Sequence, residues 1–135
     1  MKHLTIALIN VVLDGDYQYE QELPLGLASI GSFLRQQGYA VTFRQCFASY
    51  GEKQIAAAAT VEADIYGFQL NMVNYLAVKK VIEKIKQFRP NARTVCGGPF
   101  LVSLSERIMA RDPLIDYIVI GEGEKDEAPM LYTGE

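Results

Sequence analysis

The feature that most constrains this chain is an alternation. Short apolar runs rich in β-branched residues take turns with amphipathic stretches of helical period. Residues 3–12 (HLTIALINVV) are almost continuously apolar, as a strand covered on both faces must be. Further strands are predicted at 41–47 (VTFRQCF), 63–70 (ADIYGFQL), 93–97 and 115–120. The polar alternation in 41–47 suits an edge position. Helices are predicted at 24–37, 52–61, 74–88 and 103–111. In 74–88, Val78, Val81, Ile82 and Ile85 follow the i, i+3, i+4, i+7 rule. In 24–37, Leu27, Ile30, Phe33 and Leu34 form the expected apolar face, and Gly38 ends the helix in the left-handed conformation. Residues 124–131 are expected to begin a fifth helix, against the handicap of Pro129 in its interior.

Strands and helices joined by short links give a parallel sheet with right-handed crossovers. The expectation is one Rossmann-like (flavodoxin-like) α/β domain over residues 1–135, doubly wound, with five parallel strands between two helical layers. A chain of 135 residues buries a sufficient core without disulfides or metals.

Composition excludes several classes. The net charge of −3 is wrong for a nucleic-acid surface, and Lys79, Lys80, Lys84 and Lys86 alternate with Glu83 as on a solvated helix face. No apolar run is long enough to span a bilayer, and Met1-Lys2-His3 does not open a signal peptide, so a cytoplasmic protein is expected. Cys46 and Cys96 sit in or at the end of strand-like runs and read as buried free thiols. Two isolated cysteines with no Cys/His cluster exclude a zinc or iron–sulfur site within the chain.

Ligands of open α/β sheets bind outside the carboxyl ends of the strands. The segments after the strands carry glycines or neutral amides: Gln69, Asn71 and Asn74 after the third, Gly97, Gly98 and Pro99 after the fourth, Gly121, Glu122, Gly123 and Glu124 after the fifth. Glycine lets the backbone approach a bulky ligand, and it equally serves a plain turn into the next helix. Glu122 and Glu124 either bond a ligand or cap the next helix through its dipole. No Lys-Ser/Thr follows the glycines, so this is not a P-loop, and the third glycine of the dinucleotide fingerprint is missing. The helix at 24–37 holds Gly26, Ala28, Ser29, Gly31 and Ser32, which suits either close packing on the sheet or a groove that admits part of a ligand.

In four stretches the chain resembles the N-terminal cobalamin (B12)-binding domain of B12-dependent radical SAM enzymes: PLGLASIGSFLRQQGYAV, ADIYGFQL, CGGPF and DYIVIGEGE. The resemblance implies a corrinoid held over the carboxyl edge, its nucleotide tail descending between sheet and helix. It implies that Gly97, Gly98, Pro99, Gly121, Glu122 and Gly123 line the tail. Gln69, Leu70 and Asn71 take the third-strand position that contacts tail or lower face, and Gly26 and Ser29 form the other wall. Cobalamin domains of the methionine synthase kind carry Asp-x-His-x-x-Gly, whose histidine ligates cobalt. Here the first loop reads LDGDYQYEQELPLG and has no histidine; the only one, His3, starts the first strand, at the opposite edge. The corrinoid would then be base-off and His-off, with Tyr17, Gln69 or Leu70 at its lower face. The cluster motif Cys-x-x-x-Cys-x-x-Cys is absent. The resemblance therefore implies an N-terminal fragment that is not itself catalytic. Its partner would be a radical SAM domain of the same full-length polypeptide, which alone would hold S-adenosylmethionine and a [4Fe-4S] cluster. The competing reading is a vestigial domain of the same lineage that keeps the fold as a structural or docking module without cofactor. A phospho-receiver is disfavoured, because Gln69 and Asn71 stand where its aspartate would follow the third strand.

Overall fold

The computed structural model describes residues 4–12, 25–48, 51–70, 74–97, 112–120 and 130–132. In chain order the elements are β1 (Thr5–Val12), α1 (Leu25–Gln36), β2 (Ala40–Phe47), α2 (Glu52–Ala59), β3 (Ile65–Gln69), α3 (Tyr75–Phe88), β4 (Arg93–Gly97), β5 (Tyr117–Ile120) and β6 (Met130–Tyr132). The sheet order is β2-β1-β3-β4-β5-β6, with β1 to β5 all parallel. This is the expected doubly wound, Rossmann-like fold, with β2 at the edge.

One addition and one correction concern the last strand. β6 pairs antiparallel with β5, Ile118 opposite Tyr132 and Ile120 opposite Met130. Met130 and Leu131, expected at the end of a helix, therefore belong to a strand. A helix through them would have carried Pro129 in its interior and lost a backbone hydrogen bond. The helix expected at 103–111 lies outside the described residues.

Alternation along the strands builds two apolar layers. On one face Ala7, Ile9 and Val11 of β1 pack with Ile55 of α2 and with Val78, Val81, Ile82 and Ile85 of α3. On the other, Ile6 and Leu8 pack with Val41 of β2 and with Leu27 and Leu34 of α1. The α3 stripe matches its prediction, all four residues being buried. The α1 stripe does not: Ile30 and Phe33 are exposed, at 51% and 59%. Gly31 faces the sheet instead, where a Cβ would come 2.7 Å from Phe43 Cε1 and 3.2 Å from Leu8 Cδ1. The inward stripe is thus Leu27, Gly31 and Leu34, turned away from the predicted face by the need to seat a bare backbone over an aromatic ring. Gly38, with φ of 97°, ends α1 as expected.

The aspartates of two of the stretches that carry the resemblance act at the amino edge of the sheet. Asp64 Oδ2 accepts the Thr5 amide at 2.9 Å and joins the start of β3 to that of β1. Asp116 Oδ2 accepts the Thr94 amide at 2.9 Å and the Lys86 ammonium at 2.7 Å. These charge-assisted contacts fix the strand starts in register.

Cys46 and Cys96 are buried free thiols, as expected. Burial pushes Cys46 up to about 11 and Cys96 up to about 12. Because the thiolate is the reactive form, a disulfide reagent at pH 8 should label the native chain roughly 100-fold more slowly than the urea-unfolded chain. Comparable rates by absorbance would contradict this packing.

Candidate functional site

The topology selects one place on the edge. β1 and β3 are neighbours, yet α1 follows β1 on one face and α3 follows β3 on the other. The chain therefore leaves their carboxyl ends in opposite directions, and the divergence opens a crevice.

The floor of that crevice is closed by Asn74. The ladder between β1 and β3 runs to Ile9 opposite Phe68 and ends there. Beyond it, Asn74 Nδ2 donates to Val11 O at 3.1 Å and to Gln69 O at 2.9 Å. One side-chain amide so bridges the two strands where they part. Asn74 stands at the N-cap of α3 but makes no capping bond with its side chain. It is only 3% exposed.

Of the residues expected in the site, Gln69, Leu70 and Gly97 come together here. Gln69 opposes Gly97 as the last pair of the β3–β4 ladder. The Leu70 amide donates to Gly97 O at 2.7 Å, and the Leu70 side chain is fully buried. Gln69 Oε1 is buried and has no hydrogen-bond partner among the described residues. Gly26 and Ser29 lie within α1, which packs on β1 and β2. Tyr17, Asn71, Gly98, Pro99, Gly121, Glu122 and Gly123 lie outside the described residues.

Asn10 was passed over in the sequence. It is the only polar residue in an otherwise apolar stretch of β1, near its carboxyl end, and is 7% exposed. Its side chain makes no hydrogen bond among the described residues. A lone amide at that end of a buried strand was the signal that would have found it. Asn74 was legible only as an amide after the third strand, because its role depends on where β1 ends.

A second polar group steadies the same floor from behind. The Tyr75 hydroxyl donates to Asp112 Oδ2, and Lys79 Nζ lies 2.8 Å from Asp112 Oδ1. Burial pushes the Asp112 carboxyl above the usual range. Tyr75 and Lys79 stand one turn apart on α3, so this carboxylate pins the helix immediately after Asn74. The adjoining cavity, about 260 Å³ and lined by Lys79, Glu83, Asp112 and Leu114 among others, adjoins the flank of α3 rather than the crevice.

The crevice offers a buried acceptor, a buried amide and a glycine with no side chain, and no charged side chain among these three. Comparison with known proteins gives the family. A family model described as B12 binding domain matches residues 17–128. The anaerobic magnesium-protoporphyrin IX monomethyl ester cyclase of Synechocystis sp. is 29% identical over 116 residues, which are 83% of this chain and 23% of that protein. The chain thus spans under a quarter of the length of that curated relative. No described helix is long and apolar enough to cross a membrane.

Proposed function

This chain belongs to the B12 binding domain family, and from that premise we propose that it seats a corrinoid on the carboxyl edge of the sheet, at the crevice between β1 and β3. The observation that carries this placement is Gln69 Oε1, an acceptor buried without a partner among the described residues on the last residue of β3. A buried acceptor is costly to leave unpaired, so the position suits a ligand that brings a donor. Gln69, Leu70 and Gly97 would hold it from the strand ends, with Asn71, Gly98, Pro99, Gly121, Glu122, Gly123 and Tyr17 completing the rim and Gly26 and Ser29 the far wall.

A bound corrinoid supplies cobalt-centred chemistry; the chain supplies position and a dry floor. We read the cofactor as base-off and His-off, because the single histidine precedes β1 while ligands of this fold meet the opposite ends of the strands. The catalytic partner is a radical SAM domain that holds S-adenosylmethionine and a [4Fe-4S] cluster. Two facts support it: this chain's two cysteines are buried in separate strands, and its relative has most of its length outside the matched part. That relative's name makes an anaerobic reaction on a tetrapyrrole substrate the first activity to assay in a longer protein of this kind.

The test is direct. Purified chain mixed with hydroxocobalamin and passed through a desalting column should keep the corrinoid's visible bands, with a Kd of about micromolar. His3→Ala should leave both affinity and spectrum unchanged within about twofold, since no imidazole reaches the cobalt. A colourless eluate overturns the cofactor reading, and a spectral change in His3→Ala overturns the His-off mode.

A further inference from the structure

We propose that Gln45, Asn10 and Gln69 form a carboxamide shelf that selects corrinoids with an amidated ring edge over those with free carboxylates at the same positions. This rests on the corrinoid reading above and adds a specificity to it.

The shelf follows from register. Asn10 pairs with Gln45 across β1 and β2, and Gln69 pairs with Gly97 across β3 and β4. One step past the last β1–β3 pair, Ile9 with Phe68, the same register sets Asn10 opposite Gln69. The three amides also share a face. Ile6 and Leu8 of β1, Phe43 of β2 and Ile65 of β3 all pack on the α1 side, and each amide follows them at an even spacing. Three carboxamides therefore stand side by side on the α1 side of the carboxyl edge. Gly97 continues the row with no side chain.

Chemistry then distinguishes between ligands. A carboxamide presents one acceptor and two donors, and another carboxamide complements it fully. Gln69 Oε1 is a buried acceptor that needs a donor. An amide on the ring edge provides one; a carboxylate brings only lone pairs and would face that oxygen with repulsion. Turning the Gln69 amide over exchanges its two ends but leaves a donor and an acceptor to satisfy. None of Gln45, Asn10, Gln69 or Gly97 is charged, so the row offers no cation to compensate a carboxylate desolvated there. Asn10, 7% exposed, adds a second carboxamide from β1.

The experiment compares dicyanocobinamide with dicyanocobyrinic acid by equilibrium dialysis against the purified chain. High salt, about 0.5 M, screens the general repulsion between an acidic chain and a polyanion. The expected result is at least about tenfold tighter binding of the amidated corrinoid, the equivalent of one well-made buried hydrogen bond. Asn10→Leu and Gln69→Leu, near-isosteric and apolar, should each weaken cobinamide about tenfold and bring the ratio of the two ligands towards one. The wild-type ratio needs no variant to fold, and amide NMR spectra verify the fold of each variant used. Equal binding of both corrinoids by the wild type overturns the inference alone. So do folded variants that keep the full preference. Binding of neither corrinoid overturns the shelf, and failure of hydroxocobalamin to bind as well removes the cofactor reading itself.

Discussion

Asn74→Leu is expected to lower the stability of the chain by about 2–4 kcal/mol, because two buried carbonyls lose their shared donor and a methyl group faces each instead. The side chain is nearly the same size, so the loss reports hydrogen bonding more than packing. The two acceptors, Val11 O and Gln69 O, lie at 3.1 and 2.9 Å from the amide nitrogen. They sit where the strand ladder has already ended, so no backbone group replaces the missing donor. In urea, where small domains have slopes of roughly 1–3 kcal/mol/M, the midpoint should fall by about 1–2 M with the slope unchanged. Asn74→Asp carries the sign further. Its carboxylate would turn lone pairs towards both carbonyls, and burial between them raises its pKa above that of the unfolded chain. The folded state then binds the proton more tightly, so the variant should regain stability relative to the wild type as pH falls from 7 towards 5. A midpoint for Asn74→Leu within a few tenths of a molar of the wild type would show that the bridge between β1 and β3 is dispensable.

The same residue explains how much of the site the sequence could disclose. The alternation of strands and helices placed three glycine- or amide-bearing segments on one edge, and the described part of that edge, Gln69, Leu70 and Gly97, is indeed gathered. Period alone also placed Val78, Val81, Ile82 and Ile85 inward. What remained hidden depended on contacts between segments far apart in sequence. Asn74 reaches a carbonyl of β1 that lies 63 positions away, and nothing local announces it. Asn10 is brought beside Gln45 only by strand register. The strand at Met130–Tyr132 was obscured because a segment of three residues has no period long enough to separate helix from strand. The aspartates of ADIYGFQL and DYIVIGEGE illustrate the converse. They stand in stretches that resemble a cofactor domain, yet Asp64 and Asp116 tie strand starts at the amino edge.

The inward face of α1 was misjudged for a reason that makes its own prediction. Hydrophobicity favoured Ile30 and Phe33, but the helix turns Gly31 to the sheet because Phe43 and Leu8 already occupy the space a side chain would need. In an open helix, Gly→Ala gains about 1 kcal/mol from backbone entropy. At Gly31 that gain should be reversed. A Cβ 2.7 Å from Phe43 Cε1 forces the ring to move, and the ring is itself held beneath Arg35, whose guanidinium lies 5.0 Å from its centroid. Overpacking of this kind costs about 1–3 kcal/mol, so Gly31→Ala should be net destabilising by about 1 kcal/mol and Gly31→Leu by about 3 kcal/mol. The decisive comparison is the double variant. With Phe43→Ala as background the clash is gone, and Gly31→Ala should become neutral or stabilising, a coupling of about 1–2 kcal/mol in a double-mutant cycle. Additive effects would mean that Gly31 is tolerated rather than required. Coupling would mean that the approach of α1, and with it the width of any groove between helix and sheet, is set by one aromatic ring of β2. In that case Phe43→Ala alone should also change corrinoid affinity, although Phe43 lies two residues below the carboxamide row.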